Sequence, residues 1–162
     1  MIKFLLGVAI VAFTSFCGYF LAKKYRQRKL FFLQLREFNE RFLNEISYYR
    51  RPVREFIATY SYRGEFNVLL SEFFSSVENN RPPDLSCVSE LSFLKQEEQR
   101  GIEDYFFMLG KGDSASQKGY FTAAKDTLLK WQTEADAANK KLGDLYVKLG
   151  FLCGLLILIL MI

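Results

Sequence analysis

The residues best suited to chemistry in this chain are a few carboxylate pairs, three cysteines and one lysine between glycines, and none of them adds up to a site. Glu97–Glu98 and Glu103–Asp104 stand on what the periodicity reads as polar helix faces, where carboxylates are solvated rather than poised for acid–base work. Cys17, Cys87 and Cys153 lie far apart and form no CxxC pair, which argues against a zinc centre or a disulfide-stapled fold. There is no histidine, so the usual metal ligand, the usual neutral-pH proton carrier and any Cys–His nucleophile are missing. The stretch "KGDSASQKG" comes after a helical segment rather than a strand, which does not suit a phosphate cradle. No Walker loop, GxSxG or HExxH occurs. The expectation is a protein that is not an enzyme, with no catalytic residue, metal or cofactor.

The chain instead spends its residues on apolar surface: half of its 162 residues are hydrophobic and 17 are phenylalanine. Phe4 to Ala22 carry no charge and are followed by "KKYRQRK". A secretory signal has a shorter apolar core and a small-x-small cleavage site, and a lipoprotein signal needs a small residue where Phe16 precedes Cys17. A retained transmembrane helix, which takes about 20 residues, fits better. Basic flanks stay on the cytoplasmic side, so both termini are expected outside and the bulk of the chain inside. The cluster is closer to anionic lipid headgroups than to any nucleic acid.

A second apolar run, Leu149 to Ile162, ends the sequence. It is short for a bilayer, but Tyr146 and Val147 extend it, Lys148 can snorkel, and the membrane can thin locally. Thr14, Gly18 and Ala22 at four-residue spacing face Gly150-x-x-x-Gly154 as candidate helix-packing positions. Counting inward from the flanking lysines places Gly18 level with Gly154, with Cys17 and Cys153 near enough for an oxidant to join them within one chain. The chain then divides into three regions: a first transmembrane helix with its basic flank over 1–24, a cytoplasmic helical bundle over 25–146, and a second transmembrane helix over 147–162. The fold class is all-α.

Two apolar stripes organise the bundle. Phe31, Leu35, Phe38, Phe42, Ile46 and Tyr49 mark one face of a helix that ends before Pro52. Pro52 then suits the first position of a short helix closed by Gly64, and Phe66 to Val77 supply a third apolar face. "ENNRPPDLS" is a loop. Helical spacing returns at Val88, Leu91 and Leu94 and resumes after Gly101, until Gly110 ends a helix and Asp113 caps the next. From Phe121 through Leu128, Ala135, Leu142 and Leu149 to Ile159, steps of 3 and 4 alternate without a slip, the a/d seam of a coiled coil. One helix from Asp113 to the C-terminus would be roughly 75 Å long. It would lie antiparallel to the first long helix, and the seam closes within one chain or recruits another, leaving the oligomeric state open.

The charged-flanked first span, "EISYYRRPVRE" (Glu45 to Glu55), "LGKGDSASQ" (Leu109 to Gln117) and the closing "KLGFLCGLLILILMI" together resemble the stage III sporulation protein AB family over essentially the whole chain. That family is similar, at the domain level, to the cytoplasmic bundles of type II secretion and type IV pilus inner-membrane platform proteins, which usually hold two such bundles where this chain has one. The resemblance implies a bacterial platform or assembly subunit of a sporulation channel. It would sit in the mother-cell membrane around the forespore, with a cytoplasmic secretion-type ATPase and other membrane subunits as partners. Glu45, Tyr48 and Pro52 match the first motif, and Leu109, Gly110, Asp113 and Gln117 the second. Five of these seven also have a structural reading: Pro52 and Gly110 as helix punctuation, Asp113 as a cap, Tyr48 as core, Gln117 bonding back to the cap. The alternative function is a stand-alone membrane-anchored coiled-coil scaffold with no ATPase partner, and a third is an enzyme without recognised motifs.

Overall fold

A computed structural model describes residues 2–49, 52–79, 81–82 and 85–161. Among them the fold is all-α, with no strand: α1 (Ile2–Asn44), a π-helical turn (Glu45–Tyr49), α2 (Val53–Thr59), α3 (Glu65–Glu78), α4 (Ser86–Glu90), α5 (Gln96–Met108), α6 (Ser114–Ala138), a second π-helical turn (Asn139–Gly143) and α7 (Asp144–Met161). The chain divides into two compact units: a central unit, Leu30–Thr133, and a terminal unit made of Met1–Lys29 and Glu134–Ile162.

The phenylalanines build the central unit. Phe31, Phe32, Leu35, Phe38 and Phe42 of α1 are buried, as are Phe56 of α2, Phe66 and Phe73 of α3, Phe106 of α5 and Phe121 of α6. The ring of Phe38 lies 5.2–6.5 Å, centre to centre, from those of Phe42, Phe56, Tyr62, Phe66, Tyr105 and Phe106. Mostly tilted and edge-on, these pairs add to the gain from burial alone. Rings interdigitate without fixing a register, and a buried polar group supplies one. Asn39 donates to the Phe121 carbonyl (3.2 Å) and accepts from the Tyr105 hydroxyl (3.0 Å), tying α1 to α6 and α5. Burial holds the Tyr105 hydroxyl well above the usual tyrosine pKa, so it remains a donor.

Several boundaries differ from those read in the sequence. The α1 stripe ends at Phe42; the π-helical turn then buries Glu45 and leaves Tyr48 80% and Tyr49 69% exposed, against the expectation that both face the core. A π turn takes more residues than an α turn, so the last side chains rotate off the stripe. Pro52 caps α2 rather than starting it, its carbonyl accepting the Phe56 N–H at 3.1 Å.

Helix α2 stops at Thr59, and Gly64, at φ +63°, opens α3 instead of closing α2. The cause is tertiary. Gln34 pairs its amide with both backbone groups of Arg63, donating to the carbonyl (2.8 Å) and accepting from the N–H (2.6 Å). Arg41 lies over Tyr60 and donates to the Tyr62 hydroxyl, which holds Tyr60–Arg63 non-helical against α1.

Past the loop, of which Asn80, Pro83 and Asp84 lie outside the described residues, α4 ends before Leu91 and α5 begins at Gln96, not after Gly101. Glu98, read as solvated, is buried at the start of α5 and accepts the Lys95 N–H at 2.9 Å, a helix cap rather than a surface charge.

In the terminal unit, the first part of α1 pairs with α7. The a/d stripe does slip. Ala135 is buried and Leu142 half-buried, but Leu145, Leu149, Leu152, Leu156 and Ile159 are exposed. The inward positions become Gly143, Tyr146, Gly150 and Gly154, one residue later than the heptad until Gly150. The π-helical turn at Asn139–Gly143 absorbs that one residue and moves the contact face around α7. The helical segments through Leu6–Tyr49 and Ser114–Leu160 are long and apolar enough to cross a membrane by length and composition.

Candidate functional site

Close backbone approach defines the seam of the terminal unit. A Cβ on Gly150 would stand 2.7 Å from the Thr14 carbonyl oxygen and 3.0 Å from the Gly18 Cα; one on Gly18 would stand 2.5 Å from the Tyr146 carbonyl oxygen. At Gly154 it would meet Thr14 Oγ1 and lie 2.8 Å from the Val11 Cα, and at Gly7 it would meet Leu158. Ala22 is buried in the same unit. Gly18 therefore packs on Gly150, one turn from the level with Gly154 expected from counting lysines. Cys17 and Cys153 are exposed, off the glycine seam. Where the apolar sequence gives way to charge, Tyr25 stacks on Tyr146 at 5.9 Å, Lys29 pairs with Asp136 at 3.1 Å and Arg28 approaches Glu134 at 3.9 Å.

In the central unit the two sequence motifs meet. Gly110 has φ +78° and its α-hydrogen faces Val53, where a Cβ would stand 3.3 Å from Cγ2; the loop after α5 thus lies against the start of α2, next to Pro52. Leu109 is buried beneath it and Glu45 is buried at the end of α1. Asp113 accepts the Ser116 N–H at 3.2 Å and its carbonyl accepts the Gln117 N–H at 3.0 Å, while the Gln117 side chain reaches back to the Gly112 carbonyl at 3.5 Å. These residues brace the loop. Tyr48 does not: its ring is in the open and not in the core as its structural reading had it, whereas Gly110 takes a positive φ just after α5 and Asp113 caps α6.

The cap gives a testable pH effect. Hydrogen bonds from the Ser116 side chain and backbone hold the Asp113 carboxyl below its usual pKa of 3.8. A lowered folded pKa means the stabilisation is complete above the unfolded value and disappears as pH falls through the folded one. The melting temperature of the wild type should therefore exceed that of Asp113→Asn by a constant margin above about pH 5. That margin should shrink below pH 3.8. A margin that grows on acidification would contradict the cap.

A groove of about 650 Å³ runs between α5 and α6, floored by Gly101, Tyr105, Leu128 and Trp131 and edged by Glu97 and Asp104. Gly101, which reads in the sequence as a helix break, lies inside α5, and a Cβ there would stand 2.5 Å from the Trp131 ring. An isolated glycine at a helical position was the available signal, but only the partner ring explains it. Among the described residues no cluster of three or more metal-ligating side chains occurs.

The family model for stage III sporulation protein AB matches residues 3–162. No significant match is found among curated proteins or among solved structures. With the match running from the first apolar helix, through both motifs, to the last, the chain belongs to the stage III sporulation protein AB family.

Proposed function

We propose that this chain is a non-catalytic platform subunit of a sporulation channel, anchored by both its ends in the mother-cell membrane around the forespore. In this reading both termini face out, and the central unit docks a cytoplasmic secretion-type ATPase beside the other membrane subunits. The observation that carries it is the pair Tyr48–Tyr49, held open by a π-helical turn next to the braced Pro52 and Gly110 loops of a sporulation-family chain. Large, rigid, exposed tyrosines are the residues from which interface hot spots are built. π-helical turns tend to mark functional positions.

The test uses the full chain in detergent and the purified secretion-type ATPase of the same sporulating cells. Replacing Tyr48 and Tyr49 with alanine should weaken binding by about 30-fold, the equivalent of one hot spot of ~2 kcal/mol. The melting temperature should change little, since both rings are mostly exposed, Tyr48 at 80% and Tyr49 at 69%. If the wild-type chain binds no ATPase, the stand-alone scaffold takes the place of this reading. If the double variant binds as the wild type does, docking lies elsewhere.

A further inference from the structure

Charge is divided unevenly along this chain. The terminal unit contains nine Lys and Arg against three Asp and Glu, whereas the central unit is net acidic. Two of the three acids, Glu134 and Asp136, face Arg28 and Lys29. Lys23, Lys24, Lys140, Lys141 and Lys148 are exposed, and the third acid, Asp144, lies among them one turn from Lys140 and Lys148. Tyr25, stacked on Tyr146 and packed near Gly143, brings the α1 lysines to the level of the π-helical turn that holds Lys140 and Lys141.

Each helix also runs an exposed apolar track directly from a lysine. On α1, Lys24 is followed at helical spacing by Phe20, Phe16 and Phe13, all exposed. On α7, Lys148 is followed by Leu152, Leu156 and Ile159, again exposed. Leu145 and Leu149 form a third such track from Lys141, on the heptad positions that the π-helical turn moved off the seam.

The geometry points to a collar that selects anionic phospholipids, the phosphodiester held by Lys24, Lys140, Lys141 and Lys148 and the acyl chains laid along the tracks. A water-soluble acidic partner could meet the lysines but would face the adjoining Phe20 and Leu152 in water. A lipid satisfies the charge and the apolar surface together. Tyr25 and Tyr146 are of the residue type favoured at that depth. The inference rests on the membrane anchoring proposed above.

The full chain is reconstituted in nanodiscs of equal phosphatidylglycerol and phosphatidylcholine, and the lipids that stay bound on release are counted by native mass spectrometry. Phosphatidylglycerol should be enriched about fivefold over the bulk ratio, the preference expected for one lysine at a headgroup. The triple variant Lys140→Gln, Lys141→Gln, Lys148→Gln should lose the enrichment. Lys118→Gln, Lys125→Gln, Lys130→Gln, an equal charge change in the central unit, should keep it. Equal retention of the two lipids, an unaffected triple variant, or equal loss in the control overturns the collar while leaving the anchoring intact. Release of the wild type from bilayers by alkaline carbonate would instead defeat the anchoring itself.

Discussion

Replacing Phe38 with alanine should destabilise the central unit by about 3–5 kcal/mol, as expected for truncating a fully buried ring. Phe38 has no exposed surface and six rings packed around it, contributed by α1, α2, α3, α5 and the Tyr60–Arg63 linker. Cavities cost most where the walls cannot collapse, and rings anchored on several helices have little freedom to do so. Phe38→Leu retains most of the volume and should cost roughly half as much. Urea unfolding of the full chain in detergent, monitored through Trp131, measures both. Phe32 packs on the indole at 5.6 Å, so the probe reports on the same unit. A loss below about 1 kcal/mol for Phe38→Ala would mean that the ring cluster is not the mechanical core.

The second large effect is expected at Gly150. Even a methyl group there would press on the Thr14 carbonyl oxygen and the Gly18 Cα, both backbone atoms that no rotamer change can move aside. Gly150→Leu should force the two legs from close contact toward the separation of about 8–10 Å between axes seen when ordinary side chains meet. Cys17 and Cys153 are exposed and so accept spin labels once Cys87 is replaced by serine. Dipolar distance measurement should then show a single narrow distribution for the wild-type seam. In Gly150→Leu the distribution should broaden and lengthen, with Gly150→Ala in between. An unchanged distribution would show that the legs pair on another face.

The two effects differ in how far the sequence foretold them. Phe31, Leu35, Phe38 and Phe42 read directly as a core stripe, because burying one face of a helix imposes a period that survives in the residue order. The glycine faces of the legs were also legible as residue types. Their register was not, because counting from flanking lysines assumes both legs leave the apolar zone at one depth, whereas the contact is set by backbone fit between Gly18 and Gly150. Tyr49 and Leu149 carry the right residue type at the right spacing and still face outward, since a π-helical turn in each helix rotates the later side chains off the stripe. Gly64 changed role because Gln34 and Arg41 of α1 hold the residues before it non-helical, whereas Glu98 turned from solvated charge to cap through its own neighbour Lys95.

By itself the sequence determined what depends on composition and local period: an all-helical chain, two apolar runs fit for a membrane, and the Gly110 and Asp113 boundary. The tertiary structure decided which faces meet. It set Gly18 on Gly150, brought the Pro52 and Gly110 loops together through Val53, buried Glu45, and turned Tyr48 and the Lys148 track outward. Periodicity records only that a face exists. The one-residue phase shift of a π-helical turn, and the fit of one backbone against another, arise from contacts between residues far apart in the chain, where no local pattern can record them.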